Sequence, residues 1–154
     1  MRPITAIRFL YAGQEVLAWG GPGLGPRPIK GEEWRPYLPT PPFGEFPSGH
    51  STFSAAAAMV LTCFTGSDHF GASVTVPAGS SQVEPGVTPA ADVLLSWPTF
   101  ADAADQAGRS RRYGGIHFKA GDLVGRVLGA TVGARCWRAA ANLFEGGRAG
   151  PAAA

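Results

Sequence analysis

Apolar residues in the first half of the chain recur with the spacing of α-helices. Residues 3–19 carry apolar side chains at this spacing, and Pro3 is tolerated in a first helical turn. Residues 51–64 (STFSAAAAMVLTCF) contain a run of alanines, the residue with the highest helix propensity, and Thr65-Gly66 then supplies a stop. The pattern therefore predicts one helix over 3–19 and another over 51–64.

Two further helices are predicted in the second half of the chain. Residues 99–107 have a helical pattern that Thr99 can cap and Gly108 can end. The last helix is predicted from about residue 117 to about residue 144, and it carries glycine at every fourth position from 121 to 133. That spacing places the glycines on one helix face, where a neighbouring helix can approach closely.

The segments between these helices are rich in glycine, proline and β-branched residues. The density of glycine and proline over residues 20–47 excludes a long helix or a central strand, and the aromatic side chains there indicate an ordered loop. Short runs at 73–76, 82–84 and 92–97 have β character, which predicts a small hairpin. The predicted fold is mainly α, with a long Gly/Pro loop and a small β excursion.

Composition bounds the class of protein. The 154 residues amount to one domain, predicted over 1–146, with a small-residue tail at 147–154 predicted to be flexible. A net charge of +2 gives no argument for a nucleic-acid partner, and residues 51–64 are too short to span a bilayer. Cys63 and Cys136 lie in apolar helical patterns and are expected to be small buried residues, the alternatives being a disulfide or a reactive thiol. The compartment stays undetermined, and a homo-oligomer stays open.

Pro47-Ser48-Gly49-His50, directly before the alanine-rich helix, is the first cluster with chemical potential. The start of a helix presents unpaired backbone N–H groups, and the helix dipole favours negative charge there. Ser48 adds a hydroxyl donor, and Gly49 lets the backbone come close to a ligand. His50 can donate or accept a proton near neutral pH. Taken alone, Ser48 and Gly49 before a helix are typical of ordinary helix capping.

Ser110-Arg111, followed by His117 and Asp122, is the second cluster. Glycines at 114 and 115 break the helix, so the chain can turn and bring the Arg111 guanidinium to face the His117 imidazole. Arginine recognises tetrahedral oxyanions through paired hydrogen bonds, and a neutral histidine can ligate a metal or attack phosphorus. Alternatively, Arg111 is a solvated charge in a basic stretch.

Together with Arg2-Pro3, these clusters form a set whose order resembles a known signature. Vanadium-dependent haloperoxidases and type 2 phosphatidic acid phosphatases share Lys-x6-Arg-Pro, then Pro-Ser-Gly-His, then Ser-Arg-x5-His followed by Asp. The sequence around the motifs is similar to that of the soluble haloperoxidase-related branch. The matching stretches are Tyr37-Leu-Pro-Thr-Pro-Pro-Phe43 and residues 110–118 (SRRYGGIHF). The resemblance covers residues 2 to about 144 and implies the C-terminal part of a haloperoxidase-like helical bundle.

The resemblance implies a role for each matching residue. Arg2, Ser48, Gly49 and Arg111 would bind the oxygens of vanadate or phosphate, and His50 would be the acid/base group. His117 would be the axial ligand of vanadium in a haloperoxidase, acting on halide and hydrogen peroxide. In a metal-free phosphatase it would become a phosphohistidine during hydrolysis of a phosphate ester.

Two departures from the signature qualify these expectations. The family's Lys would lie seven residues before Arg2, outside this sequence, so we expect an N-terminally truncated chain with an incomplete anion site. A non-catalytic remnant is therefore a further alternative. The spacing from His117 to Asp122 is one residue longer than in the phosphatases, and side chains at i and i+5 do not align on a helix. This puts in doubt a role for Asp122 in orienting His117.

Overall fold

The computed structural model describes residues 1–146 of the chain, and the predicted tail at 147–154 lies outside them. Within residues 1–146, four α-helices and two small sheets confirm the prediction of a mainly α fold. In chain order the elements are α1 Pro3–Leu10, β1 Glu15–Trp19, β2 Pro26–Lys30, a short 3-10 helix Gly31–Glu33, α2 Gly49–Thr65, β3 His69–Val76, β4 Val93–Thr99, α3 Phe100–Tyr113 and α4 Lys119–Phe144.

Helices α2 and α4 pack against each other with their backbones in near contact. A Cβ added at Gly129 would lie 2.0 Å from the carbonyl oxygen of Thr52, and one at Gly133 would lie 2.6 Å from that of Ala56. Any larger residue at these positions would force the helices apart. The prediction that the glycine row marks a close helix–helix contact is confirmed.

A fully buried carboxylate, that of Asp122, joins α4 to the other two helices of the bundle. It accepts hydrogen bonds from Ser51 Oγ in α2 at 2.8 Å, and from Arg126 Nε and Nη2 at 2.8 and 2.9 Å. Arg112 in α3 lies at 3.4 Å. Burial raises the pKa of Asp122, but hydrogen bonds from Arg126 and Ser51 outweigh it and hold the pKa below its ordinary value.

The two sheets are antiparallel pairs that flank the bundle. Strand β1 pairs with β2 in a register running from Glu15 opposite Lys30 to Trp19 opposite Pro26. Strands β3 and β4 form the predicted hairpin, and β4 leads directly into α3. Thr99, the last residue of β4, is the N-cap of α3 and forms a capping box, in which its hydroxyl accepts from Asp102 N at 3.0 Å.

The loop between β3 and β4 is tied to the N-terminal half by one carboxylate. Glu84 accepts hydrogen bonds from Trp19 Nε1 at 3.2 Å, from Gly23 N at 3.1 Å and from Tyr37 OH at 3.2 Å. The bond from Trp19 contributes most to holding the pKa of Glu84 below its usual value. The segment 82–84, predicted as a strand, is instead an irregular bend that presents this carboxylate.

Two predicted boundaries were wrong because contacts distant in sequence decide them. The helix predicted over 3–19 ends at Leu10, Gly13 adopts a left-handed φ of 76°, and residues 15–19 pair with β2. The loop predicted over 20–47 accordingly contains that partner strand. Gly108 does not end α3, because it faces the buried carboxylate: a Cβ there would lie 2.3 Å from Asp122 Oδ1.

The expectation of buried cysteines was also wrong. Both thiols are free, Cys63 is half-buried and Cys136 is exposed. In the described residues the buried apolar side chains are few, and large apolar ones on the outer helix faces remain exposed, as for Phe53 (77%) and Val127 (70%). No helix within residues 1–146 is both long enough and apolar enough to cross a membrane.

Candidate functional site

The start of α2 presents the first group of predicted site residues. Ser48 is the N-cap of this 17-residue helix, and its Oγ accepts from Ser51 N at 3.4 Å. Ser48 is fully buried, and its own N–H donates to Gly121 O in α4 at 3.0 Å. Gly49 is half-buried and His50 is exposed. The backbone N–H groups of Gly49 and His50 belong to the first helical turn, where donors lack intrahelical partners and the dipole attracts anions.

The end of α3 presents the next predicted residues. Arg111 is half-buried, and its Nε donates to Ser110 Oγ at 3.1 Å. Helix α3 ends at Tyr113, Gly115 adopts a left-handed φ of 73°, and Ile116 N donates back to Arg111 O at 3.2 Å. The predicted helix break therefore forms a tight turn, which brings the chain back to His117 before α4 begins.

His117 is buried, with 6% of its surface exposed, and its imidazole is held by the loop before α2. Nδ1 lies 2.6 Å from the backbone carbonyl oxygen of Glu45 and 3.5 Å from the Glu45 carboxylate. A carbonyl oxygen can only accept a hydrogen bond, so Nδ1 carries the proton and donates it. The lone pair of the neutral ring is therefore on Nε2, the nitrogen left for a ligand.

Arg111 and His117 both lie close enough to His50 to influence the pKa of its imidazole. Displacement of water by the surrounding protein lowers the pKa of His50, and the charge of Arg111 and the proximity of the His117 ring lower it further. Because the ordinary histidine pKa is about 6.5, His50 is neutral at pH 7 and can accept a proton. Three predicted residues, from α2, α3 and the turn before α4, thus share one electrostatic environment.

Arg2 contacts the loop that precedes α2. It is half-buried at the N-cap of α1, and its Nη1 donates to the carbonyl oxygen of Pro41 at 3.4 Å. That contact places Arg2 beside the loop that leads to Ser48. Within residues 1–146 no hydrogen bond joins Arg2 to His50, Arg111 or His117.

Asp122 does not orient His117. Its carboxylate is engaged by Ser51, Arg126 and Arg112, and α4 begins at Lys119, after the histidine. This agrees with the unfavourable spacing between His117 and Asp122 in the sequence.

The residue that does hold His117 was missed at the level of sequence. Glu45 lies 72 positions earlier, in the stretch Phe43-Gly44-Glu45-Phe46, and 7% of its surface is exposed. Nothing local marks it, because an acidic residue in a Gly/Pro loop is ordinarily exposed. Its position two residues before Pro47-Ser48-Gly49-His50 is the one available signal.

Comparison with known proteins gives the context of this site. The family model described as the VCPO (vanadium chloroperoxidase) second helical-bundle domain matches residues 1–146. The holo and apo forms of a bacterial vanadium-dependent chloroperoxidase each match with a TM-score of 0.85 and 35% identity, over 89% of this chain. A bacterial vanadium-dependent iodoperoxidase matches over 68% of this chain and 23% of its own, with a TM-score of 0.50 and 40% identity. Among curated proteins no match is found.

The chain therefore belongs to the family of vanadium chloroperoxidase second helical-bundle domains, which confirms the resemblance. It spans 29% of the holo chloroperoxidase chain and 30% of the apo one.

Proposed function

We propose that this chain supplies the vanadate-binding part of a haloperoxidase that oxidises halide with hydrogen peroxide. The observation that carries the proposal is the fixed imidazole of His117, whose Nδ1 donates to Glu45 O at 2.6 Å and leaves the Nε2 lone pair for a ligand. Membership of the family adds support, since its structural relatives are a vanadium-dependent chloroperoxidase and a vanadium-dependent iodoperoxidase.

The residues assigned to the site include donors of the kinds that bind a tetrahedral oxyanion. Arg2 and Arg111 offer guanidinium groups for its oxygens, and the first turn of α2 offers the Gly49 N–H. The Ser48 oxygen accepts from Ser51 N, so its hydroxyl hydrogen is the group it can donate to an anion. Within residues 1–146 no three His, Cys, Asp or Glu side chains form a group that could hold a metal cation.

His117, Glu45 and His50 have different roles around such an anion. When bound, vanadate supplies an electrophilic centre that activates hydrogen peroxide towards halide. His117 Nε2 would be the ligand atom, through its lone pair, and the Glu45 carbonyl keeps the ring in the tautomer that this requires. His50, neutral because its pKa is lowered, accepts a proton at an imidazole nitrogen from the incoming peroxide.

Halogenation of a phenolic dye in the presence of orthovanadate, hydrogen peroxide and halide tests the proposal. We expect vanadate-dependent halogenation that disappears in His117→Ala and persists in His69→Ala, a matched change at an exposed histidine of β3. No vanadate-dependent halogenation would contradict it. Hydrolysis of a chromogenic phosphate ester that requires His117 would instead identify a phosphatase acting through phosphohistidine. Absence of both activities and of anion binding would identify a non-catalytic domain.

A further inference from the structure

We propose that Glu45 is the positioning residue of the site and that it holds His117 through two of its groups. Its backbone carbonyl fixes the imidazole tautomer, and its carboxylate fixes the backbone that carries the imidazole. The consequence for vanadate affinity rests on the function proposed above, whereas the effect on the imidazole does not.

The first contact is between the carbonyl and the ring. The Glu45 carbonyl oxygen lies 2.6 Å from His117 Nδ1, and both residues are buried. Because this carbonyl cannot donate, it selects the tautomer that is protonated at Nδ1. This selection requires that the Glu45 carbonyl stay within hydrogen-bond distance of His117 Nδ1. The carbonyl alone does not fix the backbone of His117 at that distance.

The second contact, between the Glu45 carboxylate and the backbone next to His117, holds the ring at this distance. Glu45 Oε2 accepts from the backbone N–H of Phe118 at 3.2 Å and lies 3.5 Å from His117 Nδ1. Phe118 is the N-cap of α4, and its own side chain makes no capping hydrogen bond. The Glu45 carboxylate therefore caps α4 from another segment, where a negative charge also meets the positive end of the helix dipole.

The structure makes room for this carboxylate at one glycine. A Cβ added at Gly121 would lie 2.2 Å from Glu45 Oε2 and 3.0 Å from Glu45 O. The carbonyl oxygen of the same glycine accepts from Ser48 N at 3.0 Å. Glu45, the start of α2 and the first turn of α4 are therefore in direct contact. Through these contacts the predicted site residue Ser48 is connected to the segment that carries His117.

The direct test measures the nitrogen chemical shifts of the His117 ring, by NMR at neutral pH in vanadate-free protein. We expect the Nδ1–H form in the parent protein and in Glu45→Gln, whose amide oxygen can still accept from Phe118 N–H. In Glu45→Ala we expect a mixture of both tautomers. Glu15→Ala, which removes an exposed carboxylate from β1, should match the parent.

A second variant covers the case in which Glu45→Ala does not fold. Gly121→Ala keeps the glutamate in the sequence but displaces its carboxylate, because the added Cβ would lie 2.2 Å from Oε2, while alanine itself favours the helix. We expect the same mixture of tautomers. An unchanged Nδ1–H form in this variant or in folded Glu45→Ala would overturn the proposal, and so would a mixture in Glu45→Gln.

Calorimetric titration of orthovanadate into the same variants measures the effect on the site. Partners that orient a ligating histidine change metal affinity by about tenfold to a hundredfold, so we expect a loss of this size in Glu45→Ala and near-parental affinity in Glu45→Gln. Parental affinity in Glu45→Ala would overturn the role in anion binding. If the parent protein binds no vanadate, the proposed function fails, and the tautomer measurement still decides the positioning claim.

Discussion

Replacing the buried carboxylate of Asp122 tests whether the bundle depends on a paired charge. Asp122→Asn keeps the shape of the side chain and an acceptor for Ser51, but removes the charge facing Arg126. Arg126 keeps a second partner, since its Nη1 contacts the Asp105 carboxylate at 2.6 Å and its Nη2 donates to Asp105 O at 3.0 Å. The guanidinium is therefore left partly compensated.

The expected loss follows from these contacts. Removing one partner of a buried ion pair costs about 3–5 kcal/mol, and the remaining Asp105 contacts place this case near the lower end, at about 3 kcal/mol. For a chain of this size one kcal/mol shifts Tm by about 2–4 °C, so Tm should fall by about 6–12 °C.

The pH dependence of the loss separates charge from shape. The folded pKa of Asp122 lies below its ordinary value, so its stabilisation is complete above the unfolded pKa of about 3.9 and is lost as pH falls through the folded value. The difference between parent and Asp122→Asn, measured by urea unfolding, should be full at pH 7 and shrink below about pH 4. Asp68→Asn, at an exposed turn, should change little. A loss below about 1 kcal/mol at pH 7 would refute the reasoning, because a paired charge would then contribute no more than a neutral hydrogen bond.

Three further perturbations follow from individual contacts. Gly129→Ala places a Cβ 2.0 Å from Thr52 O and should lower the free energy of unfolding by about 1–3 kcal/mol; a gain in Tm would contradict the close α2–α4 contact. Thr99→Ala removes the cap of α3 and should cost about 1 kcal/mol in urea unfolding, against no change if the cap is dispensable. Arg111→Ala should raise the pKa of His50 towards its ordinary value, as measured by NMR titration; an unchanged pKa would mean that the two side chains are not coupled.

The parts of the fold that local sequence determines could be predicted. The alanine run of α2, the Thr99 cap and the glycine row of α4 act through propensity, capping and spacing within one helix, and each appears where expected. The pairing of β1 with β2 could not be predicted, because β1 has an apolar pattern that fits either a helix or a strand.

The candidate site divides in the same way. Three motifs in the expected order identify Ser48, Arg111 and His117 as a set, but not what holds them. Glu45 meets the histidine across 72 positions, and Ser51 meets Asp122 across 71. No sequence spacing predicts either pair, because both contacts depend on how the segment that contains α2 packs against α4.

Calorimetric titration of orthovanadate into the protein, with His117→Ala and His69→Ala in parallel, tests the central claim most directly. If the start of α2, Arg111 and His117 form an oxyanion site, one vanadate binds per chain, binding is lost in His117→Ala, and His69→Ala binds as the parent does. Absence of binding in the parent, or equal binding in all three proteins, would contradict the account.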